Sequence, residues 1–258
     1  MRDIRKLRHL GLLALACASA TLTACGGAGS GVVAESATVS PTASAAPSET
    51  PTAAPSPSPS ATPSPEPSGP PAFSAKVSKV TAGQLKGSWH PGCPVSPDEL
   101  RKVTMTYWGF DKKAHTGELI VNRAVTDDVA VVFEQLYAWR YPITRMEPID
   151  AYKGSDFDSI DADNTSAFNC RRTTGASSWS KHSYGKAIDI NPRENPWVEP
   201  DGSVAHPNAE KFADRPLHKP GVINADDRVV RLFEKYGWEW GGYFNDAKDY
   251  QHFAKGGG

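Results

Sequence analysis

Concentrated positive charge is missing from this 258-residue chain: its 28 Lys and Arg are offset by 29 Asp and Glu, and no basic patch or arginine-rich stripe interrupts it. Phosphate recognition needs such a patch, so nucleic acid is excluded as a partner. Long hydrophobic runs are missing too. The one mostly apolar stretch, Leu10 to Leu22, is too short and too rich in small residues to make a good membrane span. No His-Glu-x-x-His run occurs, which sets aside the thermolysin-like class, and no nucleophile elbow supports Ser-His-Asp chemistry. Cysteine is scarce at four residues. Cys17 and Cys25 fall in the first 25 positions, leaving Cys93 and Cys170 for the body of the chain. In an oxidising exterior these two are expected to pair, which removes a thiol nucleophile. Closing that loop stabilises by roughly 4–5 kcal/mol in the chain-entropy model. Their spacing is too wide for a cysteine-based zinc site, and no internal repeat is visible.

The poorest stretch is residues 26 to 71, with no aromatic residue, no Lys or Arg, and eleven of the 22 prolines. Such a composition cannot bury enough apolar area to offset chain entropy, so a disordered tether is expected there. Its contour would reach about 140 Å if extended as polyproline II. In front of it, Arg2, Arg5, Lys6 and Arg8 precede the apolar run, as in an export signal over residues 1–25. Leu22-Thr-Ala-Cys25 at its end resembles a bacterial lipobox, which would lipidate Cys25 and anchor the chain to the outer face of the cell membrane. Plain secretion into the wall is the alternative. Residues 1–24 carry four positive charges and one negative, so their loss takes the formal charge from −1 to −4. Three of those negatives, Glu35, Glu49 and Glu66, lie in the tether, so the head at 72–258 is near neutral. That head has the length of one domain and is expected to act as a monomer.

The head carries a dense chemical motif. Ser180-Lys-His182-Ser-Tyr184-Gly185-Lys-Ala187-Ile-Asp189 is followed some sixty residues later by Asp249-Tyr-Gln-His252. Two histidines and a carboxylate satisfy the three-ligand requirement of a hydrolytic zinc site, which keeps one position open for water. A carboxylate outside the ligand set can then take a proton from that water. His182, Asp189 and His252 are therefore the candidate ligands of one Zn2+, and Asp249 the candidate base. Ser180 and Tyr184 are candidate substrate contacts, Ser180 alternatively a turn cap and Tyr184 a cleft wall. His90, His115, His206 and His218 have no partner pattern and are read as structural or solvated.

Periodicity gives an α+β fold: a small, mostly antiparallel sheet flanked by helices. Ser96-Pro97-Asp98-Glu99 is a capping box that should start a short helix. Thr126 opens a second, with Val129, Val132, Phe133, Leu136 and Tyr137 on its apolar face and Pro142 past its end. Asn224 with Asp227 opens a third, lined by Val229, Leu232, Phe233 and Tyr236 and closed by Gly237. Residues 105–110, 118–121, 166–171, 186–190 and 238–244 read as strands. In the fourth, Ile188 and Ile190 share one face, and Ala187 and Asp189 the other.

Ser-x-His-x-x-Gly-x-Ala-x-Asp and Trp-x-Trp-Gly-Gly…Asp-x-x-His-Phe resemble the zinc peptidases that include D-alanyl-D-alanine carboxypeptidases and L-alanyl-D-glutamate endopeptidases. The likeness also takes in Gly92 to Val95, Tyr107 to Phe110, Asn164 to Arg171 and Asn191 to Val198. It implies the hedgehog/DD-peptidase fold, His182, Asp189 and His252 as zinc ligands, and Asp249 as base. It further implies Arg171 as the arginine that steadies substrate and oxyanion, with Arg172 next door as the alternative. The implied substrate is the stem peptide of peptidoglycan, with residues 195–222 deciding between endo- and carboxypeptidase action. The same fold also allows a zinc-stabilised cell-wall binding module without turnover, but such a module needs neither Asp249 nor Arg171.

Overall fold

The computed structural model describes residues 69–256. The export signal, Cys25 and the tether up to residue 68 lie outside them. Four small sheets and three α-helices make up the head. Strand β1 (Ala75–Lys79) pairs antiparallel with β2 (Leu100–Gly109), which pairs antiparallel with β3 (Ala114–Asn122). Helix α1 (Thr126–Ala138) follows β3 and packs on β2. The chain returns through β4 (Pro142–Ile143), which lies parallel to the end of β2.

Alternation explains this layer. Val103, Met105 and Tyr107 of β2, with Leu119 and Val121 of β3, face the same core cluster as Val129, Val132, Phe133 and Leu136 of α1. The helix ends with Trp139 as its C-cap, and Arg140 takes the left-handed conformation before the turn into β4. Short strands β5 (Arg145–Met146) and β6 (Asn164–Thr165) pair parallel, with helix α2 (Asp156–Asp161) between them. The mostly antiparallel expectation therefore holds with two parallel exceptions, and strand pairing is divided among several sheets.

The layer that carries the chemistry is made from β7 (Ala187–Asp189), β8 (Trp197–Val198), helix α3 (Arg228–Lys235), β9 (Trp238–Trp240), β10 (Lys248–Asp249) and β11 (His252–Lys255). Strand β11 is central, antiparallel to β7 on one side and β9 on the other. Its Phe253 pairs with Ile188 of β7 and stacks on Phe233 of α3, ring centroids 3.9 Å apart. A second cluster, Val80, Leu85, Val95, Leu100, Ile120 and Phe168, surrounds the Cys93–Cys170 disulfide, so the expected pairing is present. Among the described residues no helix is long and apolar enough to cross a membrane.

One local expectation is met and two are corrected. Pro97–Glu99 forms one turn of 3-10 helix, its capping box intact, because β2 begins at Leu100. Helix α3 starts at Arg228: Asp227 is the cap, its carboxylate accepting from Val229 N and Val230 N at 2.7 and 3.0 Å. Asn224 instead turns its side chain to Leu217 N. Residues 166–171 do not form a strand. Their backbone donors go to separate partners, Ser166 to Asp189 O, Phe168 to Ile120 O, Asn169 to His182 O and Cys170 to Ser88 O.

Phe233 is 1 % exposed and joins α3 to both β9 and β11. Phe233→Ala should lower unfolding stability by about 3–5 kcal/mol, read as a lower urea midpoint with an unchanged slope.

Candidate metal centre

The sheet of β7, β9 and β11 has two chemically different faces. Ile188 and Phe253 are cross-strand partners on the core side, and Asp189 and His252 are partners one residue away in the register. Because side chains alternate, burying the first pair turns the second pair together to the opposite face. His252 Nδ1 lies 3.0 Å from Asp189 Oδ1.

His182 reaches the same point from a 3-10 turn, Lys181–Tyr184. Ser180 caps that turn, its hydroxyl oxygen accepting from His182 N at 3.3 Å. Gly185 closes it at φ 64°, where a Cβ would sit 2.6 Å from Asn122 N, so the turn can lie against the end of β3 only with glycine. The His182 ring is oriented by Nδ1–H, which donates to Ala167 O at 2.5 Å. A carbonyl can only accept, so in the neutral ring Nε2 is the nitrogen that carries the lone pair. That nitrogen lies 3.2 Å from His252 Nδ1 and 3.1 Å from Asp189 Oδ2.

His182, Asp189 and His252 thus converge with all donor atoms within 4.8 Å of one another, and all three are buried. Two nitrogens and a carboxylate oxygen are a zinc donor set, and bonds of about 2.0–2.1 Å in a tetrahedron put donors about 3.3 Å apart. The observed 3.0–3.2 Å separations fit that demand. Burial alone would raise the Asp189 carboxyl, but the charges and hydrogen bonds of His182 and His252 prevail and hold it far below its ordinary range. Burial would lower the His252 imidazole, yet the Asp189 carboxylate raises it.

Asp249 stands beside this group, Oδ2 4.0 Å from His252 Nδ1. Its Oδ1 is buried without a hydrogen-bond partner. Burial pushes the carboxyl up to about 6, with the nearby His252 opposing the rise. A buried, unpaired carboxylate oxygen is costly to keep and is suited to accept a proton. The turn Gly241–Tyr243 presses on the back of this pair. A Cβ on Gly241 would meet Asp249 O at 2.6 Å, Asp249 Cβ at 2.9 Å and His252 Cβ at 3.2 Å. The expected strand at 238–244 stops at Trp240, where this 3-10 turn begins.

The two candidate arginines diverge. Arg172 lies over the Trp179 ring at 3.7 Å and donates to Ser177 O at 2.6 Å. Arg171 bears on the centre through its charge, which opposes protonation of His252. Its guanidinium is 3.0 Å from Asp156 Oδ2, and Asn169 donates to the other Asp156 oxygen at 3.3 Å. Ser183, next to His182, holds the Arg171 backbone by bonds of 2.9 and 2.6 Å. Asp156 lies outside the motif and Ser183 occupies one of its unspecified positions, so neither carried a signal in the sequence; both bear on Arg171. The Tyr184 ring packs on the second apolar cluster, and Ser180 is engaged as a cap. His115 pairs with Asp111, and His206 packs on Phe157. His90 lies beside Cys93 and Cys170, whose sulfurs are bonded to each other and so hold no metal.

A buried His-Asp-His cluster with a carboxylate alongside is a donor set that could hold a metal ion. Residues 174–255 match the family model described as D-alanyl-D-alanine carboxypeptidase, a family of zinc peptidases. The match covers about a third of the chain and contains His182, Asp189, Asp249 and His252. The upstream part of the sequence resemblance, including Arg171, lies outside it. No curated protein and no solved structure matches this chain.

Gly241→Ala should weaken zinc binding by about 10–100-fold in a competitive chelator titration, since it displaces both Asp249 and His252.

Proposed function

We propose that the chain is a zinc metallopeptidase that hydrolyses stem peptides of peptidoglycan outside the cell, held at the membrane through a lipid on Cys25 or released into the wall. The observation that carries this reading is the His182–Asp189–His252 cluster with Asp249 4.0 Å from His252, inside the segment that matches the peptidase family. His182 through Nε2, His252 through Nδ1 and Asp189 through its carboxylate would hold the ion. Zinc bound there supplies Lewis-acid polarisation of the scissile carbonyl and acidifies water.

The remaining chemistry belongs to the side chains. Asp249 accepts the proton that water gives up and passes it to the leaving amine. Its burial supports this role, because a carboxyl raised to about 6 can both take and return a proton near neutrality. Arg171 stabilises the negative oxygen that develops on the substrate carbonyl. The ion pair with Asp156 would fix the guanidinium for that role. The export signal and tether, with the family of the matched segment, support peptidoglycan as substrate.

Purified peptidoglycan digested with the zinc-loaded protein should release peptides whose new termini, read by mass spectrometry, name the bond cleaved. Chelation should abolish release, and Asp249→Asn should lower turnover by about 10²–10⁴-fold while zinc is retained. If no chelator-sensitive product forms, the chain is a binding module and the enzyme reading fails. Asp156→Ala should reduce turnover by less than the roughly 10²-fold expected for removing a transition-state donor outright, with zinc stoichiometry unchanged in metal analysis.

A further inference from the structure

The strand that faces the candidate base carries a residue with no part in the metal site. In the antiparallel pair of β8 and β10, Trp197 stands directly opposite Asp249. Tyr250 N donates to Pro196 O at 3.3 Å, which brackets the two as a non-hydrogen-bonded pair. In such a pair the Cα atoms are about 4.5 Å apart and the side chains project to the same face at close range. Asp249 is 8 % exposed at the floor of that face, whereas Trp197 is 39 % exposed. The indole belongs to neither apolar cluster, and its strand neighbour Val198 is the one that turns inward. A large apolar ring is thus left in solvent at the edge of the chemistry.

The backbone beneath it is firmly held. Asn195 is fully buried, its amide donating to Ile190 O at 3.0 Å and Gly221 O at 2.9 Å, while its oxygen accepts from Ile223 N at 2.8 Å. Arg215 lies over the Tyr250 ring at 4.2 Å and donates to Glu194 O at 2.9 Å, which ties the turn before Trp197 to the residue that follows Asp249. An exposed aromatic on so fixed a base is preorganised for contact, which lowers the entropic cost of binding.

The direction of the reaction says what it contacts. Hydrolysis forms a bond from the water oxygen to the carbonyl carbon and breaks the bond to nitrogen. The proton taken by Asp249 ends on that nitrogen, so the residue that leaves lies on the Asp249 side of the centre. We propose that Trp197 is a specificity-determining residue, an indole platform for the side chain of the leaving residue, and that it favours an aliphatic side chain over an acidic one. An acidic side chain there would bring a second carboxylate against Asp249, and Lys248, the cation on the same strand, points to the other face with Val198. This inference rests on the peptidase reading above.

The probe is the shortest peptide that the wild-type protein cleaves in the peptidoglycan digest, resynthesised with alanine, leucine, lysine or glutamate as the leaving residue. Wild type should favour alanine and leucine. Trp197→Ala should raise KM for those two by about tenfold with kcat within about twofold, and flatten the ranking. Trp197→Phe should restore most of both. The urea midpoint and zinc stoichiometry of each variant, unchanged from wild type, separate this from a folding effect. An unchanged KM and ranking in Trp197→Ala, a loss confined to kcat, or a wild-type preference for glutamate or lysine overturns the inference while the peptidase reading stands. If wild type cleaves nothing, the peptidase reading fails and this inference falls with it.

Discussion

Everything at the centre depends on one cross-strand register. Phe253 against Ile188 fixes the pairing of β11 with β7, and the strand period then sets His252 against Asp189 on the other side. A slip of one residue would turn the histidine toward the core cluster and the phenylalanine away from it, so the hydrophobic core itself enforces the geometry of the candidate ligands. The apolar side is backed by the stacked Phe233 of α3. Stability and chemistry are opposite faces of the same three-stranded sheet.

Around that register the remaining groups arrive from separate elements, each locked by a contact of its own. His182 is oriented through the Ala167 carbonyl, Asp249 lies under Gly241, and Arg171 is held by Asp156 and Ser183. Ser183 is the link among them, since it sits beside His182 in the chain and bonds the Arg171 backbone. The position of the guanidinium and the position of one ligand are therefore coupled through a single hydroxyl.

How much of this could be read from the chain follows the range of the interactions. The four residues His182, Asp189, Asp249 and His252 stood out because each motif is short and its residue types are chemically restrictive. Helix α1 was legible from its apolar stripe, and Gly237 from its place after α3. Residues 166–171 look like a strand because they are extended, but extension does not specify a neighbour, and their donors are divided among several separate segments. Asn224 and Asp227 are both good caps, and only the packing of residues 217–227 decides between them. Asp156 could not be found at all, because the contact with Arg171 joins two elements that no periodicity relates. The role of Gly241 was half visible in the Gly-Gly turn, while the clash that forbids a side chain appears only in three dimensions.

The Cys93–Cys170 bridge ends one residue before Arg171. Oxidation of that pair tethers the backbone from which the guanidinium projects to a loop at the far side of the second cluster. Without the bridge that backbone would keep its hydrogen bonds and the packing of Phe168, while the candidate ligands on β7 and β11 would keep the support of their sheet. Under reducing conditions the placement of Arg171 would therefore be the part of the candidate centre to lose support first.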